Sequence, residues 1–303
     1  MYAIVRVDRR VAEAIEPLGT KNKFWYTDAD GRRTLFKAEE RGTGEDWAEK
    51  VACELAALLG LPHVHYKLAL EAEGQTPGVT CASCVAAGQA LAHGNQLLVE
   101  ADPTYPRDHR RFKVAAHTVQ AVAGVVERLQ PPTADWLPGA PAGITALDFF
   151  AGYLMLDAWI ANQDRHHENW GAIRGPGVSA LAPTFDHGAS MARNISDAER
   201  HERMTTRDRN RDIGPFVRRA RSALYADAAQ QRPLTTVAAW RAFAGLASNG
   251  RTFWLERLAA VQPAAVSDIL ERLPPQRMSN VCRQFTLYLL EENRKRLLNE
   301  EPE

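Results

Sequence analysis

Little in this chain points to a charged partner, an oxidising compartment or a membrane. Cysteine is scarce, four in 303 residues, too few for a disulfide framework at this size. Neither sign of charge dominates: 37 Lys and Arg balance 37 Asp and Glu, so no global field draws the protein to nucleic acid or an anionic bilayer. The longest apolar tract, residues 144–161, is broken by Asp148 and Asp157 and does not read as a membrane span. Residues 1–8 carry charge too early for a signal-peptide apolar region, so a cytoplasmic location is the expectation. What is present, 45% hydrophobic and 24% charged residues, is an ordinary globular composition. It has material for one large domain or two lobes sharing a cleft.

The cysteines also argue against a zinc site. Cys81-Ala82-Ser83-Cys84 is a C-x-x-C, but a structural zinc site needs a second ligand pair, and Cys53 and Cys282 stand alone in the sequence. Cys81 and Cys84 therefore read as small buried thiols in a strand-rich segment. His63 and His65 read as strand residues rather than metal ligands.

Chemistry concentrates in residues 156–188. Asp164 is followed after four residues by Asn169, and the apolar run 180–185 closes on Asp186-His187-Gly188. Magnesium-dependent phosphoryl transfer needs a carboxylate beside the attacking hydroxyl, an amide oxygen on one metal and a carboxylate bridging the metals. The kinase template spaces these as Asp-x-x-x-x-Asn followed by Asp-x-Gly. Both spacings occur here, in that order.

Upstream, residues 2–8 read as a strand, and a loop with Gly19, Thr20, Lys21 and Lys23 runs into a strand at 24–26. A turn at 28–31 and a return strand at 33–37 complete a unit that can lay N–H groups and cations over a triphosphate. Lys37 ends that strand, as a phosphate-binding lysine does. Asp46 is expected to cap a helix at 47–59, stopped by Gly60 and Pro62. A glutamate on this helix should hold the lysine. Glu54 flanks the core face and Glu49 points nearly opposite, so periodicity leaves the choice open. Strands are expected at 65–70, 78–85 and 95–100. The loop 103–110 is the expected crossing between lobes, where backbone takes an adenine edge, with Glu100 and Asp102 at its approach assigned to the nucleotide site.

From residue 113 the pattern turns helical. A helix at 114–129 and a Pro/Gly-rich connector at 131–143 precede a helix at 146–161 that delivers the Asp164 loop. Short runs at 170–173 and 180–185 should pair around Gly175-Pro176-Gly177 and bring Asn169 to Asp186. An arginine-rich loop is expected at 189–212, then scaffold helices at 215–224, 235–247, 253–261, 264–273 and 279–298. The expected fold class is α+β, a two-lobed protein-kinase-like fold with a small β-rich N-lobe (1–110) and a larger, mainly helical C-lobe (111–303).

Asp164-x-His166-x-x-Asn169 with Phe185-Asp186-His187-Gly188 resembles the HipA family of bacterial serine/threonine kinases, whose fold is related to the phosphatidylinositol 3/4-kinases. The resemblance extends along nearly the whole chain. It implies ATP and Mg2+ as cofactors, Gly19-Thr20-Lys21-Asn22-Lys23 as the nucleotide loop, Lys37 as the ATP-contacting lysine and Glu49 as its helix partner. It further implies Asp164 as the base, His166 as a histidine beside it, and Asn169 and Asp186 as metal ligands. For toxin-type members it implies a protein substrate such as an aminoacyl-tRNA synthetase or another translation factor, and an antitoxin partner. Host-directed kinases of similar fold make a secreted effector the other expectation. Two departures stand out: the kinase core begins almost at Met1, without the extra N-terminal subdomain of toxin-type members, and Glu16 stands where those members carry an autophosphorylated serine.

Three other readings compete. The same constellation serves a lipid or small-molecule kinase, although no basic amphipathic membrane surface is evident. A non-catalytic kinase-fold binding module would be expected to lose one of Lys37, Glu49, Asp164, Asn169 and Asp186, and all five are present. His166, His167 and Glu168 with Asp186 and His187 could be a hydrolase metal centre, but adjacent histidines seldom face one ion and no H-E-x-x-H helix is present.

Overall fold

The computed structural model describes residues 1–15, 22–39, 42–106, 114–133, 136 and 143–299, the side chains of Ala14, Ile15 and Ser248 aside. Two sheets and ten helices make up these residues. The larger sheet contains β1 (Val5–Val7), β2 (Ala14–Ile15), β3 (Lys23–Thr27), β4 (Arg33–Ala38), β5 (Tyr66–Glu71) and β6 (Pro77–Ala82), in the order β1-β5-β6-β4-β3-β2. Only the β1–β5 pairing is parallel.

Alternation along these strands sorts two faces. Phe24, Tyr26 and Phe36 join Val7 and Ala69 in a small apolar cluster on one side. Leu35, Tyr66, Leu68, Val79 and Cys81 face the other way and merge with the main core under α1 (Glu45–Leu59). In the β3–β4 register Lys23 lies directly opposite Lys37, so both lysines project from this second face.

Helix α1 starts differently from the expectation. Its N-cap is Gly44, left-handed at φ 82°, where a Cβ would lie 1.9 Å from Trp47 Nε1. The capping carboxylate comes from Glu39, which accepts the N–H of Glu45. Asp46, the expected cap, sits buried in the first turn and pairs with Arg277. Gly60, at φ 69°, ends the helix as expected.

The chain leaves the six-stranded sheet at Ala82 and enters a three-stranded sheet with β7 (Ala90–His93), paired to β8 (Gly171–Gly175) and then β9 (Val178–Leu181). Residues 83–89 therefore join the two sheets, ahead of the loop at 103–110. Residues 107–113 lie outside the described set. The expected strand at 95–100 is instead the helix α2 (Gly94–Ala101), opened by a capping box in which His93 N–H donates to Gln96 Oε1 (2.9 Å). The expected strand pair around Gly175-Pro176-Gly177 is the β8–β9 hairpin.

Helix α3 (Val119–Val126) is shorter than expected because Thr118 caps it late. Helix α4 (Ala146–Trp159) is buried along its whole length, as its apolar sequence requires. It packs against α7 (Thr236–Ala244), α8 (Ser248–Ala260) and α10 (Asn280–Leu298). Its ends are fixed by polar contacts. Gly250 N–H donates to Asp148 Oδ1 and Trp254 Nε1 to Asp148 O, both at 2.7 Å. At the other end Trp159 Nε1 donates to Leu290 O, and Asn293 Nδ2 to Trp159 O, both at 3.1 Å. Helices α5 (Asp197–Thr205), α6 (Ile213–Arg218) and α9 (Pro263–Glu271) complete the helical part. Among the described residues no helix is long and apolar enough to cross a membrane.

Three buried histidines make stability sensitive to acid. Burial pushes His63 down to about 4 and His117 to about 3, and holds His187 well below its ordinary value of 6.5. Each is neutral in the fold, whereas the unfolded chain takes up protons below pH 6.5, so their contribution is intact above that pH and is lost as pH falls toward 4. Unfolding free energies measured from pH 8 to pH 5 should be flat at first, then fall by up to about 1.4 kcal/mol per pH unit per histidine.

Candidate active site

Lys37 and Asp186 meet at the centre of the site. Lys37 lies on the α1-facing side of β4, and its Nζ donates to Asp186 Oδ1 across a sequence distance of 149 residues. Burial alone would lower the lysine pKa. The carboxylates of Asp186, Glu49 and Glu45 outweigh burial and hold it above the ordinary lysine range. The ammonium is therefore a fixed positive charge at any working pH.

Glu49 is the helix glutamate beside this lysine. It is 1% exposed and acts electrostatically on both Lys37 and Tyr66. Glu54, the other candidate, pairs with Lys50 on its own helix. The Asp-His-Gly turn packs directly on Glu49, since a Cβ on Gly188 would lie 3.0 Å from Glu49 Oε2. Asp186 is left-handed at φ 58°, costing roughly 1–2 kcal/mol for a residue with a Cβ. This turn, which sets the carboxylate against Lys37, is also held by Asp186 N–H donating to Tyr66 Oη (3.4 Å).

The Asp164 loop is held by a network around Arg165, which is fully buried. Its guanidinium forks onto Asp157 near the end of α4, with Nε to Oδ2 at 2.7 Å and Nη2 to Oδ1 at 2.8 Å. Nη1 donates to Asn169 O (2.6 Å) and Phe185 O (3.5 Å), and Nη2 also to Thr184 Oγ1 (3.0 Å). One side chain thus ties the helix, the loop and the segment before Asp186 together. Asn162 adds a second tie, giving Nδ2–H to Asp157 Oδ1 (2.8 Å) and accepting Asp164 N–H on Oδ1 (3.2 Å).

Within the loop, Asn169 Nδ2 donates to Asp164 O at 2.7 Å, which orients its amide oxygen as the atom suited to a cation. His166 Nε2 lies 3.7 Å from Asp164 Oδ1, and its Nδ1 accepts Glu168 N–H (3.1 Å). His167 is turned to a different partner, the hydroxyl of Tyr105 (2.8 Å), and His187 Nε2 to Thr184 Oγ1 (2.8 Å). Arg193, beyond the turn, reaches back to Thr43 and to Glu45 at the start of α1.

Two sequence-assigned nucleotide contacts, Glu100 and Asp102, each have a protein partner. Glu100 at the end of α2 is bridged by Arg174 of β8 (2.8 and 2.6 Å), and these residues border a cavity of about 520 Å³. Asp102 Oδ1 accepts both the N–H (2.9 Å) and the hydroxyl (2.7 Å) of Thr104. Lys23 stands opposite Lys37, whereas Gly19, Thr20 and Lys21 lie outside the described residues. Sequence reading missed Arg165, Asn162, Tyr66 and Arg193. The one local signal for Arg165 was its partner, an aspartate at 157 inside an apolar helix.

A sheet lobe offering a lysine, a helix offering a glutamate, and a helical lobe offering an Asp-x-x-x-x-Asn loop and an Asp-x-Gly turn define the kinase-like fold. No protein-family model and no curated protein matches the sequence. Solved structures do match. A Helicobacter pylori proinflammatory kinase, CtkA, superposes with a TM-score of 0.73 at 17% identity, covering 98% of this chain and 96% of that one. HipA of Shewanella oneidensis, solved with HipB and operator DNA, gives a TM-score of 0.57 at 11% identity, covering 95% of this chain and 66% of that one. The HipA-like kinase fold is therefore shared at identities too low to carry function with it.

Proposed function

We propose that the protein is an ATP- and Mg2+-dependent phosphotransferase of HipA type that acts on a serine or threonine hydroxyl of a protein. The observation that carries this reading is the Lys37–Asp186 pair, with Glu49 behind it and the Asp164–Asn169 loop fastened by Arg165 to Phe185, next to Asp186. The donor set, an amide oxygen and a carboxylate, is hard and suits Mg2+. Asn169 and Asp186 would hold the ion, which supplies charge neutralisation on the phosphates. Lys37 would bind the nucleotide phosphates, with Lys23 on the same face adding a second cation. The sheet-to-sheet linker at 83–89 offers backbone groups for the adenine edge. Asp164 would orient the attacking hydroxyl and receive its proton, with His166 shaping its surroundings. Catalysis of this kind is mostly positioning and electrostatics. An antitoxin-like partner and a translation-factor substrate rest on fold-level analogy to HipA alone.

The test is direct. Wild-type protein incubated with γ-labelled ATP should label a protein acceptor in Mg2+ and not in EDTA. Asp186→Asn should lose Mg2+-dependent ATP binding and at least about 10²-fold in transfer. Labelling by Asp186→Asn at the wild-type rate, or nucleotide binding indifferent to Mg2+, sinks the assignment.

A further inference from the structure

Cys53, on the side of α1 that packs toward β5, stands alone in sequence but not in space. Its Sγ and one ring nitrogen each of His63 and His65 lie within 4.8 Å of one another. The His63 and His65 rings meet edge to face with centroids 4.5 Å apart. Cys53 and His63 are buried, and His65 is exposed.

His63 is arranged as a ligand. Its Nδ1 lies 2.6 Å from Leu61 O. A carbonyl can only accept, so Nδ1 carries the proton and Nε2 presents a lone pair. That Nε2 is buried and makes no hydrogen bond, a state that costs about 1–3 kcal/mol unless something binds it. Histidine ligands of metals are commonly oriented this way, by a carbonyl on the other nitrogen. Burial also keeps the ring neutral. Tyr66 N–H donates to Cys53 Sγ at 3.3 Å; burial pushes the Cys53 thiol up to about 11, and a bound divalent cation would displace its proton.

We propose that Cys53, His63 and His65 form a binding site for a thiophilic divalent cation such as Zn2+, with water in the fourth position on the exposed His65 side. One thiolate and two imidazoles select Zn2+ over Mg2+, so the site is chemically distinct from Asn169 and Asp186. It is also wired to them. Thr184 N–H donates to Pro62 O (2.9 Å) and Val64 N–H to Thr184 O (3.0 Å), which joins the ligand segment to the residues just before Asp186. Tyr66, next to His65, accepts Asp186 N–H on its hydroxyl (3.4 Å). A cation here would clamp α1 to the base of the Asp-His-Gly turn, whether or not the protein transfers phosphate.

Co2+ titration of the purified, reduced protein reads the site without any activity assay. Wild type should bind one equivalent with a thiolate-to-cobalt charge-transfer band that Zn2+ abolishes by competition. Cys53→Ser should lose that band. His65→Ala, an exposed change that leaves the core intact, should weaken Zn2+ binding at least about 10-fold and remove the Zn2+-induced rise in unfolding temperature. His201→Ala, an exposed histidine on α5, should change neither. Absence of the band in folded wild type, or the same Zn2+ affinity in His65→Ala, overturns the proposal.

Discussion

Replacing Asp164 by asparagine is expected to lower phosphoryl transfer by about 10²–10⁴-fold while leaving the fold and ATP binding in place. Three loop contacts of Asp164 run through its backbone. Its N–H reaches Asn162 Oδ1, and its carbonyl accepts from His166 N–H (2.8 Å) and Asn169 Nδ2 (2.7 Å). Asparagine keeps all three. Its side chain is 27% exposed, with the buried Oδ1 3.7 Å from His166 Nε2, and an isosteric amide keeps its shape. The loss should therefore appear in kcat rather than in KM for ATP, with an unchanged unfolding midpoint. Equal kcat for the variant and the wild type would remove Asp164 from the chemistry.

What could be read from sequence was short-range or periodic. Asp164 and Asn169 sit on one loop, Asp186 and Gly188 on one turn, and their spacing is itself the geometry. The strands around Lys37 and the β8–β9 hairpin announced themselves through alternation and turn residues. Helix α2 was misread because Leu97-Leu98-Val99 is a short apolar run that fits strand or helix equally, and the His93–Gln96 capping box decided it. Helix α5 was misread as loop because it has no apolar stripe. It stands on a Ser196 cap and on the Arg200–Asp197 and Arg203–Glu199 pairs instead. The choice of Glu49 over Glu54 lay outside any helical wheel, since α1 is buried both toward the sheet and toward the Asp-His-Gly turn. Cys53 with His63 and His65 was invisible for a related reason: Gly60 reverses the chain and lays the histidines back along the helix.

Arg165 was the deepest omission, and removing it should have the largest structural effect. Arg165→Met takes one member from a fully buried ion pair and leaves Asp157, itself 4% exposed, without its counter-charge. Breaking such a pair costs about 3–5 kcal/mol, which for a chain of this length lowers the melting temperature by about 5–10 °C. The double variant Arg165→Met with Asp157→Leu removes both charges, and burial of matched apolar groups in place of a pair is often neutral. It should therefore regain much of the stability. It should not regain transfer, because Asn169 O and Phe185 O still lack the donor that holds the Asp164 loop against the segment leading to Asp186. Thermal unfolding and labelled-phosphate transfer on the three variants separate these roles. If the double variant recovers both, Arg165 is only a partner for Asp157. If it recovers stability alone, the guanidinium positions the loop, and the kinase-like geometry depends on a residue that touches neither nucleotide nor metal.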